Sequence, residues 1–157
     1  MPSRMLFPAA LLLRKVPPPV DEWVLTNPDK AILEGGGAII MAEYDGVPAG
    51  TVALRKVASD VYEFTKMAVD TNYRRRGIAE AICYASFLKA KELNGTKVIL
   101  YSNKLNAGAI KLYEKIGFSH RDVEPGVYKR ANAKLEIDID EAANAALQYR
   151  DNLEKIA

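Results

Sequence analysis

The pair Asp45-Gly46 stands between two runs of β-forming residues, 38–44 and 47–56, and constrains the fold more than any other feature of the chain. Asp-Gly accepts the positive φ angles of a two-residue turn, and such a turn folds its flanking runs into an antiparallel hairpin. A third run, 61–69, extends the hairpin to a meander. The pattern then changes period. Ile78, Ile82, Ala85 and Leu88 recur at helical spacing over 77–93, and Asn94-Gly95 closes that helix. Residues 97–102 read as a short buried strand. Ala109, Leu112, Tyr113 and Ile116 share one face of a helix over 106–116, stopped by Gly117. Strands are expected at 118–123 and 133–139, separated by Pro125-Gly126. A last helix is expected at 141–156, with Ala142, Ala146, Tyr149, Leu153 and Ile156 as its apolar stripe.

Before the hairpin the signals are weaker. The apolar residues 5–13 follow Arg4 and meet Arg14-Lys15 at once, with no small-residue cleavage site. They read as a first strand or short helix of the domain rather than a signal peptide. Pro17-Pro18-Pro19 marks a loop, and Asn27-Pro28 a helix start. That helix, 30–34, ends at Gly35-Gly36-Gly37. The glycines lack the Lys-Ser/Thr of a phosphate-binding loop and read as a helix end. The plan is α+β (mixed α/β), with one strand-helix-strand unit at its centre. The length of 157 residues fits a single domain, 1–157.

Composition narrows the chemistry. Lys+Arg number 22 and Asp+Glu 20, for a net charge of +2, so any anion site must be built locally and no nucleic acid partner is expected. The single cysteine, Cys83, excludes an intramolecular disulfide. With one histidine, His120, a His/Cys zinc site cannot be assembled, no metal is expected, and no nucleophile motif accompanies the histidine. Cys83 reads as a core residue and His120 as a surface one. No run approaches the ~20 apolar residues of a membrane span, so a cytoplasmic protein with no membrane partner is expected.

The chemically informative stretch runs from Val69 through Arg74-Arg75-Arg76-Gly77-Ile78-Ala79-Glu80. A strand ends, a basic loop follows, and a long helix begins. The first turn of a helix carries free N–H groups and the positive end of its dipole, which together favour an anion. Gly77 permits close approach of a phosphate, and Ala79 keeps bulk away. An ordinary solvated basic loop is the alternative. Downstream lies Asn106-Ala107-Gly108-Ala109-Ile110-Lys111-Leu112-Tyr113-Glu114-Lys115-Ile116-Gly117-Phe118.

Together the two segments resemble the GNAT superfamily of acetyl-CoA-dependent N-acetyltransferases. Arg74, Gly77 and Ala79 match its Arg/Gln-x-x-Gly-x-Gly/Ala pyrophosphate motif. Asn106, Ala109, Tyr113, Gly117 and Phe118 match Asn-x-x-Ala-x-x-x-Tyr-x-x-x-Gly-Phe, in the family's order. The similarity covers roughly 31–139, and the helix after 139 lies beyond the common core. Thr71 replaces a frequent proline and Arg75 a frequent glycine, and the N-terminal region is compressed.

The resemblance implies a mostly antiparallel mixed sheet in which the parallel strands 61–69 and 97–102 splay to admit acetyl-CoA. A bulge near Met67, Ala68 and Val69 would pair with the pantetheine arm, and Arg74, Arg75, Arg76, Gly77, Ile78, Ala79 and Glu80 would hold the pyrophosphate. Asn106 would cap its helix and touch the pantetheine, with Ala109 and Tyr113 beside it. Tyr113 is implied as general acid toward the leaving thiolate, or else packs in the core. Glu63 is implied as base, directly or through water, or else is a surface strand residue. The carbonyl oxygen would be polarised by the N–H near Val69. The acceptor is expected to be a primary amine of a small molecule or peptide, attacking directly in a ternary complex, with Tyr62, Tyr101, Asn103 and Tyr128 at the rim. A silent acyl-CoA-binding sensor or scaffold is the alternative. The chain is expected to be a monomer or homodimer.

Overall fold

The structure is a computed structural model that describes residues 4–6, 11–15, 32–128 and 130–156. Its eight strands form one sheet: β1 (Arg4–Leu6), β2 (Leu11–Lys15), β3 (Ala38–Tyr44), β4 (Val47–Lys56), β5 (Val61–Val69), β6 (Lys97–Ser102), β7 (Ser119–Arg121) and β8 (Ala133–Asp138). The spatial order is β1-β2-β3-β4-β5-β6-β8-β7. All neighbours are antiparallel except β5 and β6, which are parallel because helix α1 (Ile78–Glu92) crosses between them. Helices α2 (Ala107–Ile116) and α3 (Ile139–Ile156) complete the described elements.

Asp45 and Gly46 take φ angles of 50° and 79°, as a tight turn between β3 and β4 requires. The early apolar run forms two strands rather than a helix, and β2 pairs with β3 from Leu11↔Tyr44 to Lys15↔Ile40. The expected helix at 30–34 is described only over 32–34, where it is helical; Pro17-Pro18-Pro19 and the Asn27-Pro28 start lie outside the described residues. Gly37 fills a position that only glycine fits, since a Cβ there would lie 2.1 Å from the Leu54 carbonyl oxygen. The strand expected over 118–123 is shorter, and Phe118 instead turns into the core.

The main core lies between the sheet and helices α1 and α3. Ile82, Phe87, Val98, Leu100 and Leu135 are all at most 1% exposed. Each such large apolar side chain stabilises the fold by about 1.5–3 kcal/mol. Cys83 is buried there, and burial pushes its thiol up, which makes it an inert core residue. Tyr84 on α1 stacks on Tyr149 of α3 with centroids 4.3 Å apart. A smaller cluster of Ile32, Ile39, Met41 and Ala53 forms a separate core. No helix among the described residues is long and apolar enough to cross a membrane.

Candidate active site

Strands β5 and β6 pair at three rungs only: Val61↔Lys97, Tyr62↔Val98 and Glu63↔Ile99. Past Glu63 both strands continue, each bonded to its outer neighbour. Val69 still pairs with Gly50 of β4, and Ser102 with Ala133 of β8. A wedge therefore opens between them, and the main chain facing it has no ladder partner across the gap. One reason is a bulge in β5. Thr51 opposes Ala68 while Ala53 opposes Thr65, so Lys66 and Met67 share the place opposite Val52. Lys66 adopts φ 56°, so the bulge comprises Lys66 and Met67, at the leading edge of the expected Met67–Val69 stretch. A bulge increases local twist and turns the strand end away from its neighbour.

The chain leaves β5 through a short 3-10 turn, Thr71–Tyr73. The Asp70 carboxylate accepts from the Asn72 N–H at 2.8 Å, and the Asp70 N–H donates to the Ala49 carbonyl at 2.7 Å. These bonds aim α1 at the mouth of the wedge. Gly77 caps α1 at φ 76°, and a Cβ there would meet nothing within 4 Å. The first helical bond runs from the Ala81 N–H to the Gly77 carbonyl, so the N–H groups of Ile78, Ala79 and Glu80 stand at the free helix end. The Ile78 side chain is buried, which leaves only its N–H to serve a ligand. The Glu80 carboxylate reaches Lys115 of α2 at 3.4 Å, so its charge is balanced beside this helix end.

The three arginines separate. Arg74 is extended and exposed, and Arg75 takes φ 63°, a conformation that accounts for the glycine common at this point in the motif. Arg76 lies over the rings of Tyr44 at 5.0 Å and Tyr73 at 5.4 Å. Its guanidinium braces the loop against β3.

Alternation along β5 sends neighbouring side chains to opposite faces. Tyr62 and Phe64 face the helices. Tyr113 of α2 meets Phe64 edge-on at 6.1 Å and Phe118 at 5.6 Å, and is 7% exposed. Its hydroxyl has no hydrogen-bond partner among the described residues, and burial pushes the phenol well above its ordinary value. It stays protonated at any working pH. Tyr62 is not at the rim as expected. It is 1% exposed, and its hydroxyl donates to the Leu93 carbonyl at 3.3 Å, because strand alternation sends it away from Glu63.

Glu63 and Thr65 face the other side. Glu63 is 2% exposed, so it is no surface residue. Arg55 Nη2 donates to its Oε1 at 2.7 Å and the Tyr128 hydroxyl to its Oε2 at 2.8 Å. Beside it lies a cleft of about 280 Å³ lined by Thr65, Tyr101, Ser102, Asn103, Tyr128, Arg130 and Ala131. Three of the four rim residues thus converge with Glu63. The Tyr101 and Tyr128 rings meet edge-on at 5.3 Å. The Tyr101 hydroxyl donates to Glu124 at 3.0 Å, and Lys134 also bonds that carboxylate, chiefly for which reason it is pushed down to about 2. The loop bearing Tyr128 is pinned by Asn103 Nδ2 to the Arg130 carbonyl and by the Lys104 N–H to Asn132, at 2.8 and 2.7 Å.

Asn106 holds the N-cap position of α2 but its side chain makes no cap bond, so it is free for another partner. Ala109 lies half-buried behind it against the core. His120 is exposed and faces Glu114 at 3.3 Å. Sequence reasoning missed Arg55, yet a signal existed. Counting back across the turn after β4 places Arg55 directly opposite Glu63.

The profile of the acetyltransferase (GNAT) family matches residues 10–118. The chain belongs to that family. Over 86 residues it is 35% identical to the N-acetylaspartate synthetase of Xenopus tropicalis, covering 54% of this chain and 32% of that protein. The chain thus spans about a third of the length of such curated relatives. Among solved GNAT-type structures, Ard1 from Thermoplasma volcanium superposes with a TM-score of 0.68 at 19% identity, covering 83% of this chain and 98% of that one. A GNAT family acetyltransferase from Elizabethkingia anophelis, solved with acetyl-CoA bound, gives 0.66 at 18% identity, covering 83% and 99%. These likenesses establish the GNAT fold for this chain.

Proposed function

We propose that this GNAT domain transfers the acetyl group of acetyl-CoA to a primary amine in a ternary complex. The observation that carries the reading is the wedge. It opens at Glu63↔Ile99 and has the free N-terminus of α1 at its mouth. Membership of the family and an acetyl-CoA-bound fold relative support the same reading.

The pyrophosphate would sit on the N–H groups of Ile78, Ala79 and Glu80, with Gly77 giving it room and Arg74 and Arg75 adding charge. The pantetheine arm would run along Met67, Ala68 and Val69 as an added strand, with Asn106 and Ala109 on its other side. This brings the thioester to the wedge between Tyr113 on the helix face and the Glu63 cleft on the other. The amine enters from the Glu63 face. Its nitrogen attacks the thioester carbonyl, the C–S bond breaks with its electron pair on sulfur, and the amine loses a proton. Tyr113, whose hydroxyl bonds no described residue, donates a hydrogen bond to the leaving thiolate. A phenol raised above ~10 facing a thiol of ~8.5 stabilises the thiolate rather than fully protonating it. Glu63 receives the acceptor's ammonium proton, directly or through water. The Val69 N–H would polarise the carbonyl oxygen.

The test is CoA thiol release with acetyl-CoA and a broad amine panel, including L-aspartate, the acceptor that the synthetase relatives' name suggests. Amine-dependent thiol release and an N-acetyl product are expected. Acetyl-CoA binding with no amine-dependent release would instead indicate an acyl-CoA sensor.

A further inference from the structure

A second cleft, of about 420 Å³, lies against the same face of β5 and shares Thr65 and Tyr128 with the Glu63 cleft. Its charged lining among the described residues is Arg55, Lys56 and Lys66. The two clefts are divided by the Arg55–Glu63–Tyr128 hydrogen-bond chain. The carboxylate of that chain faces one cleft and the guanidinium faces the other.

The charges are held in place by the sheet. Arg55 and Glu63 are register partners, and Arg55 spends one nitrogen, Nη2, on the carboxylate while its side chain stays half exposed. The Tyr128 hydroxyl also lies within hydrogen-bonding reach of the guanidinium, whose five N–H donors outnumber these two partners. Lys56 follows at the strand end, and its ammonium has no partner among the described residues. Its stem lies by Gly36 at the cleft wall. The bulge that opens the wedge also turns Lys66 toward this cleft, since Lys66 is the bulged residue. One distortion of β5 therefore serves both the acetyl-CoA wedge and the cationic wall.

We infer that this second cleft is an oxyanion subsite for the acceptor, which is an amine carrying a carboxylate or phosphate. The inference rests on the transferase reading above. The ammonium end lies at Glu63 beside the thioester, and the oxyanion at Arg55 and Lys56 in the adjoining cleft, which shares Thr65 and Tyr128 with the first. A guanidinium and an ammonium lining one cleft bind oxyanions by charge-assisted hydrogen bonds. A plain alkylamine or polyamine would set its far end against like charge. This orders the acceptor classes: acidic amino acids or phosphorylated amines first, polyamines last.

The test compares matched pairs in two assays. β-Alanine, γ-aminobutyrate, L-aspartate and L-glutamate are set against their carboxamides, and O-phosphoethanolamine against ethanolamine. The first assay is kcat/KM for acetyl transfer. The second is calorimetric binding of the N-acetylated products to the CoA-loaded protein, which needs no turnover. Expected is a preference of about tenfold or more for at least one anionic member over its neutral match in both assays. Lys56→Gln should shrink that ratio several-fold, and Lys56→Arg should restore most of it. Preference in the amino-acid arm identifies a carboxylate, and in the ethanolamine arm a phosphate. Transfer to neutral and anionic members alike, with equal binding, overturns the subsite while the transferase reading stands. Anion-selective binding without any turnover supports the subsite and removes the transferase reading.

Discussion

The two halves of the site are made from different parts of the polypeptide. The half proposed for acetyl-CoA uses main chain from one continuous stretch, Lys66 to Glu80: a bulge, a tight turn and a helix N-terminus. The half proposed for the acceptor uses side chains from β4, β5, β6 and the loop before β8, among them Arg55, Glu63, Tyr101 and Tyr128. A site built from main chain needs only backbone conformation, which few residues can specify. Gly77 at φ 76° and the free N–H groups after it are such a specification. A site built from side chains depends on what each strand brings to the cleft, and can change without disturbing the fold. The proposed reacting centre lies between them, with Tyr113 on the helix face and Glu63 on the other.

This contrast sets the sizes of the expected effects. The largest belongs to Gly77→Glu. A side chain at positive φ costs about 1–2 kcal/mol, yet there is open space for it, so the protein should fold. Its carboxylate would occupy the anion seat, and acetyl-CoA binding by calorimetry should disappear. A folded variant with unchanged affinity would break the main-chain half of the account.

Next comes Tyr113→Phe. The hydroxyl bonds no described residue, so its loss leaves no orphaned group and the melting temperature should barely move. The account expects kcat to fall about 10²-fold with acetyl-CoA affinity retained. Unaltered kcat would return Tyr113 to packing between Phe64 and Phe118.

Glu63→Gln should have a more moderate effect, confined to the acceptor side. It keeps the shape but removes the charge facing Arg55. We expect kcat/KM for the amine to fall about tenfold near pH 7 and the defect to shrink toward about pH 9–10, where amines of pKa about 10 lose their proton unaided. Parallel pH profiles for variant and wild type would assign the proton to water or a backbone carbonyl.

The smallest effect is expected for Arg76→Gln. Its guanidinium lies on Tyr44 and Tyr73, and losing those contacts should cost about 1 kcal/mol of stability. Acetyl-CoA affinity should change less than about threefold. A larger loss would make Arg76 a phosphate ligand and its aromatic contacts secondary.

What could be read from the sequence follows the same division. The meander, the two central helices and the loop at 74–80 are local patterns, and each appears where periodicity and turn residues place it. The bulge overlaps the expected stretch at Met67, and its other residue, Lys66, adopts a left-handed conformation that its residue type does not advertise. Tyr62 was misplaced because its face depends on register, and one step along β5 exchanges core for cleft. Asn106 sits at the cap position, but the side chain's direction is a tertiary matter. The bond from Tyr128 to Glu63 joins residues 65 apart in sequence, and no local pattern encodes it.

The most direct test of the central claim is a backbone amide NMR titration of the ¹⁵N-labelled protein with acetyl-CoA. The account predicts the largest shifts at the N–H groups of Met67, Ala68 and Val69 and of Ile78, Ala79 and Glu80, with small changes at Arg55 and Lys56. Large shifts at Arg55 and Lys56 with Ile78 to Glu80 unmoved would contradict it, by placing the cofactor in the cleft assigned to the acceptor.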